Sequence, residues 1–173
     1  MAQALLTARL ADLGRPVTVR SGGMLGDGEP PCREAIAAMA AYGLDISAHR
    51  SRRVTANDVE SADLTLTMAR ENLRHAVAEA PAAWPRTFTI KELVRRGEAV
   101  GPRPPGQSLA AWLACAHDGR QRTALLGDSV DDDVADPAGG PRRGYIETAA
   151  LLSGLADDLV SLCWATADQI GNC

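Results

Sequence analysis

Helically spaced apolar segments alternate with short extended ones along most of this chain, and that alternation narrows the fold more than any other feature. Leu5, Leu6, Leu10 and Leu13 fall on one helical face, and Gly14 is placed to end the helix. Val17-Thr18-Val19 has the composition of a short strand and runs into a turn at Ser21-Gly22-Gly23. The prolines at 30 and 31 precede a second helix, with Ile36 and Met39 facing inward and Gly43 as its stop. Leu44-Asp45-Ile46 reads as extended, and Thr55 to Asp58 as a capping box that starts a short helix. Asp63 to Met68 is a strand candidate, followed by a helix to about Ala80. Thr87 to Ile90 is another strand, with a short helix from Lys91 to Arg96. The Gly/Pro-rich stretch from Gly97 to Gly106 reads as loop, and a small helix from Ser108 to about His117 follows it. The final helix spans about Tyr145 to Trp164, with Thr148, Leu152, Leu155, Leu159 and Leu162 at helical spacing. The tail at 165–173 is expected to be loose. The order is α, β, α, β, α, β, α, α, which predicts an α/β fold with a doubly wound parallel sheet. Such folds usually begin with a strand, whereas this order begins with a helix.

Length and composition bound the function. The chain has 173 residues, which suits one globular domain with a real core. Aromatics are only 3% of it, so Ala, Leu, Val and Ile must fill that core. The net charge of −4, with no basic stripe and no interleaved aromatics, argues against nucleic acid as a partner. No apolar run reaches the length of a membrane span, and the first 14 residues lack the features of a signal peptide, so the expected location is cytoplasmic. Cys32, Cys115, Cys163 and Cys173 are scattered and form no CxxC pair, so reduced thiols and no metal cluster are expected. The acidic run Asp128, Asp131, Asp132, Asp133 lacks calcium-loop spacing and reads as a solvated loop. Arg50, Arg52 and Arg53 read as a solvated basic turn.

Four motifs carry a resemblance. Gly43-Leu-Asp-Ile-Ser-Ala-His49-Arg50-Ser51-Arg52 resembles the "G-hydrophobic-D-hydrophobic-S-x-H-R-S-R" stretch of the low-molecular-weight protein tyrosine phosphatases. Ala62 to Met68 is similar to that family's "A-D-L-hydrophobic-L-x-M" strand. Ser21-Gly22-Gly23 resembles its "S-A-G" turn, and Asp136-Pro137-Ala138-Gly139-Gly140 with Tyr145 resembles its "D-P-aromatic-G-G … Y" loop. Each is weak alone. Together they run in the family's order and cover the chain from Met1 to about Trp164, with 97–122 as an insertion.

The resemblance implies a sheet of order 2-1-3-4. It also implies hydrolysis of phosphotyrosine through a phosphocysteine, with no metal and no cofactor. In this family a first strand leads into a C-x5-R-S/T-P loop and then a helix that begins "M-A-E-A", which Met1-Ala2-Gln3-Ala4 matches. The expectation is therefore that the first strand and cysteine loop are missing from the given sequence. Asp136 matches the general acid. Ser21 and His49 match residues that support the cysteine loop. By themselves an Asp-Pro pair is an ordinary loop start, Ser21 a turn residue and His49 a structural histidine. Ala138 stands where the family carries an aromatic that flanks the substrate ring.

No cysteine present replaces the nucleophile. The chemistry needs an arginine six positions after the cysteine, to close the phosphate cradle. That position is Ala38 after Cys32, Gln121 after Cys115 and Gln169 after Cys163, and Cys173 has none. These cysteines read as apolar fillers or surface thiols. The expected function is that of a phosphatase family member, inactive as given. The expected partners, once the loop is restored, are a phosphotyrosine protein or small aryl phosphate. The alternatives are a non-catalytic pseudophosphatase and, at a distance, an arsenate reductase. Loss of an interior strand would leave two strand edges unpaired, so the chain is expected to fold poorly.

Overall fold

The computed structural model describes residues 1–24 and 26–164. Along the chain run α1 (Ala2–Asp12), α2 (Arg33–Ala40), α3 (Ala56–Ser61), β1 (Thr65–Thr67), α4 (Arg70–Glu79), β2 (Thr87–Thr89), α5 (Ile90–Val100), α6 (Leu109–His117) and α7 (Arg142–Trp164). Two 3-10 turns, Pro81–Arg86 and Arg122–Leu125, lie between them. The fold divides into two compact units. One comprises 1–54 and 135–157, the other 55–134 and 158–164.

In the first unit α1 buries Leu5, Leu6 and Leu10, and α2 buries Ala35, Ala38 and Met39. Both helices end as the glycines predict. Gly14 takes φ +60° while Arg15 N–H reaches back to Leu10 O at 3.0 Å, and Gly43 takes φ +70° while Leu44 N–H reaches Met39 O at 3.2 Å. Arg9 of α1 pairs with Asp157 of α7 at 2.5 Å and donates to Ser153 at 3.1 Å. Val17 to Val19 differs from its expected strand, because it joins no ladder. Extended backbone becomes a strand only beside a hydrogen-bonding neighbour, and here Val19 O accepts from the Gln3 side chain instead. The parallel pairing in this unit is one bridge, Gly23 to Arg53. The ribbons are close there: a Cβ on Gly22 would meet the Val54 backbone at 3.3 Å.

The second unit holds a parallel pair, β1 with β2, in the register Thr65–Thr87, Leu66–Phe88, Thr67–Thr89. This is the parallel α/β arrangement that the alternating pattern predicts. The Thr55/Asp58 capping box forms as expected. Leu73, Val77, Trp84 and Leu125 make one apolar cluster, and Phe88, Ile90, Leu93, Trp112 and Leu113 are also buried. The predicted loop at Gly97 is instead helix, since α5 continues to Val100. Gly97 is needed there for space: a Cβ would lie 2.9 Å from both Trp112 and Leu162. The small helix expected from Ser108 runs over Leu109–His117, capped by Ser108 and with Trp112 fully buried. The expected tail at 165–173 lies outside the described residues.

The acidic run also departs from a solvated loop. Asp132 is 1% exposed and accepts from Arg70 at 2.7 Å and Arg95 at 2.8 Å. Burial pushes its carboxyl up, but the bonds from Arg95 and Arg70 outweigh this and hold it below the usual range. Asp133 accepts from Arg70 N–H at 2.7 Å and Ser129 N–H at 2.8 Å, so it caps α4 from 63 residues away. Lys91 donates to Val130 O and Asp133 O. Asp128 and Asp131 remain exposed. Spacing cannot show this difference, because the arginines that take up Asp132 come from distant helices.

Candidate active site

Asp136, Ser21 and His49 all lie in the first unit, and each has its own partners. Asp136 is exposed, in the loop between Val134 and α7. Its Oδ1 accepts from Ala138 N–H at 2.9 Å, an Asx turn that orients the carboxylate. Pro137 fixes the backbone next to it, and Gly140 N–H donates to Pro137 O at 2.9 Å to close a second turn. Gly139 takes φ +72°, and a Cβ on Gly140 would come within 3.0 Å of Pro137 O. The two glycines in the motif are therefore demanded by the turn itself.

Ser21 Oγ donates to Gln3 Oε1 at 2.5 Å, and Gln3 Nε2 donates to Val19 O at 3.3 Å. The serine is thus tied to the first turn of α1. His49 sits in an exposed turn, where its backbone N–H bonds Ile46 O at 3.0 Å. Arg50 donates to Ser47 O and His49 O, so its guanidinium closes this turn. Ser51 pairs with Glu29 through backbone and side chain, and Gly28 N–H donates to Ser51 O. The basic stretch is therefore a built ribbon edge.

The cysteines divide as burial dictates. Cys32 and Cys115 are exposed free thiols, while Cys163 is buried, which pushes its thiol up to about 12 and leaves it an apolar filler. Among the described residues no three potential metal-ligand side chains cluster. No helix of the structure among those residues is long and apolar enough to cross a membrane.

A family model described as low molecular weight phosphotyrosine protein phosphatase matches residues 1–101, more than half of the chain. The chain belongs to that family. A probable low molecular weight protein-tyrosine-phosphatase, EpsP of Ralstonia solanacearum, is 36% identical over 94 residues. That match covers 54% of this chain and 62% of the relative, so the chain spans less than two thirds of the curated relative's length. Among solved structures, a low molecular weight protein tyrosine phosphatase from T. tengcongensis superposes with a TM-score of 0.67 at 30% identity, covering 92% of this chain and 86% of that one. The YwlE arginine phosphatase from Geobacillus stearothermophilus gives a TM-score of 0.63 at 26% identity, over 91% and 79% of the two chains. The phosphatase fold accounts for the parallel pairing of β1 and β2.

Sequence reasoning missed two devices around this loop. The anchoring of 127–134 through Asp132 and Asp133 left only an acidic run as its signal. The bond from α7 to the Asp136 loop comes from Thr148, which donates to Ala135 O at 3.4 Å and which the helical spacing had marked for another reason.

Proposed function

We infer that this chain carries the general-acid half of a phosphomonoester hydrolase whose substrate is a protein phosphotyrosine or small aryl phosphate. The observation that supports this most is the Asp136 loop: an exposed carboxylate in an Asx turn, with proline and two required glycines beside it. In the family's reaction a cysteine thiolate attacks phosphorus and the phosphorus–oxygen bond to the leaving group breaks. The acid gives its proton to the leaving oxygen, then takes one from the water that hydrolyses the phosphocysteine. Asp136 is assigned both steps. Ser21, through Gln3 at the start of α1, and His49 are assigned support of the cysteine loop.

Because no cysteine present has an arginine six positions on, residues 1–173 by themselves are expected not to turn over. The test reads the coding DNA in frame upstream of Met1. It then compares p-nitrophenyl phosphate, phosphotyrosine and phosphoarginine hydrolysis by 1–173 and by any extended chain that supplies C-x5-R-S/T-P. Both amino-acid phosphates are included because the relatives are named for tyrosine and for arginine phosphatases. In the extended chain, Asp136→Asn should lower kcat by about 10²–10⁴-fold for an aryl phosphate. Burst release of p-nitrophenol by 1–173 would overturn the inactivity. The second reading is a pseudophosphatase that binds phosphoproteins without chemistry. It is favoured if the upstream frame holds a stop codon or no such loop. Arsenate reduction stands third, since Arg50 to Ala80 holds no cysteine to relay electrons.

A further inference from the structure

The segment 127–134 is clamped to α4 and α5 by one buried carboxylate and three cations. Asp132 is 1% exposed and bridges the two helices, accepting from Arg70 Nε at 2.7 Å and from Arg95 Nη2 at 2.8 Å. Arg95 also donates to Asp131 O at 3.3 Å, and Lys91 Nζ donates to Val130 O at 2.7 Å and to Asp133 O at 2.8 Å. Asp133 accepts from Arg70 N–H, and Val134 N–H reaches Met68 O at 2.7 Å. Arg70 is the first residue of α4 and Lys91 the second of α5, where the helix dipole disfavours a cation. A buried ion pair adds little net stability over apolar packing, so cations set against two dipoles around a buried carboxylate point to placement of the segment. Met68, Arg70 and Lys91 follow closely on β1 and β2, at the carboxyl ends of the parallel pair, where open α/β sheets carry their ligand chemistry. The chain leaves this clamp at Val134, itself buried, and reaches Asp136 two residues later.

We propose that Asp132 is a positioning residue for the acid: with Arg70, Lys91 and Arg95 it fixes the point from which the Asp136 segment departs. This rests on the assignment of Asp136 as the acid. Only Ala135 separates Val134 from Asp136, and Pro137 restricts the Asp136 backbone, so little freedom lies between clamp and acid. An acid must stay within about 0.5 Å and 10–20° of its productive geometry. The Asx turn fixes the carboxylate only relative to its own loop, and the Asp132 bridge fixes where that loop starts.

Amide exchange read by mass spectrometry tests this on residues 1–173, because it reports peptide by peptide in a monomer and in an assembly alike. Wild type and variants are compared at the same assembly state, matched by light scattering. Asp132→Asn should speed exchange roughly ten-fold across both 127–134 and 135–140, while peptides from α1 and α7 keep their native rates. Arg95→Gln should do the same, and Arg95→Lys, which keeps the cation, should not. If Asp132→Asn does not fold, the Arg95 pair decides. Faster exchange confined to 127–134 overturns the proposal, since the clamp would then hold only its own segment. No change in either segment overturns it too, as does wild-type exchange across 127–134 at the rate of an unfolded chain. In any extended chain that supplies C-x5-R-S/T-P, Arg95→Gln should lower kcat/KM by about 10–10²-fold. The loss should be larger for phenyl phosphate than for p-nitrophenyl phosphate, whose better leaving group needs the proton less. Equal losses for the two esters contradict a role in aiming the acid. If Asp136→Asn itself spares both esters, the assignment of the acid falls, and the proposal with it.

Discussion

The Arg120 guanidinium makes paired bonds to Glu92 at 2.8 and 2.7 Å, donates to Thr87 O and Trp84 O, and lies 3.9 Å from the ring centres of both Trp84 and Phe88. Glu92 is 3% exposed, so the pair is buried and the carboxylate depends on its partner. Arg120→Met should therefore cost about 3–5 kcal/mol, whereas the double change Glu92→Leu with Arg120→Met should cost much less. Chemical denaturation of the two variants checks this, and equal losses would contradict it. His117 lies edge-on to Trp84 and shares a hydrogen bond with Arg120 at 3.1 Å. Burial, then Arg120 and Arg96, lowers its pKa, against smaller opposing effects of Glu92 and Asp118. The unfolded chain thus binds this proton more readily. The contribution of neutral His117 is fully present above an ordinary histidine pKa of about 6.5 and is lost as pH falls from there. Melting temperatures between pH 7 and pH 5 should fall, and His117→Gln should flatten that part of the fall.

Two glycines in helices make opposite predictions at the scale of elements. Gly97 in α5 lies under Trp112 and Leu162, with 2.9 Å available to a methyl group. Gly97→Ala adds helix propensity worth about 1 kcal/mol but overpacks a core where such strain costs about 1–3 kcal/mol, so a net loss is expected. A Cβ on Gly154 in α7 would meet nothing within 4 Å. Gly154→Ala should stabilise by about 0.5–1 kcal/mol. At about 2–4 °C per kcal/mol for a chain of this size, thermal melts separate the two signs. A stabilised Gly97→Ala would mean that Trp112 can move. The capping box of α3 offers a third case: Thr55→Ala should cost about 1 kcal/mol, since Thr55 and Asp58 hold each other's backbone N–H.

For the whole molecule, the decisive feature is how little sheet the described residues contain. β1 pairs with β2, and the other unit contributes one bridge. Two strands alone are marginal in water, and an edge with unpaired backbone groups invites another copy to add to it. Purified residues 1–173 should self-associate in size-exclusion and light-scattering measurements. A monomer that melts cooperatively at about 45–65 °C, the ordinary mesophile range, would contradict this.

Periodicity was enough to place the helices, because burial on one face repeats every three to four residues whatever the partner is. Gly14, Gly43 and the Thr55/Asp58 pair marked helix ends for equally local reasons, namely positive φ and capping. The motif at 136–140 was legible because its turns are built from adjacent residues. What only the tertiary structure decided depends on groups distant in sequence. Val17 to Val19 has strand composition but no ladder, since a strand needs a neighbour. Gly97 continues a helix because Trp112 and Leu162 come to it. Asp132 is a buried anchor because Arg70 and Arg95 converge on it, and a carboxylate's environment, unlike a turn, is set by whichever charges the fold brings near.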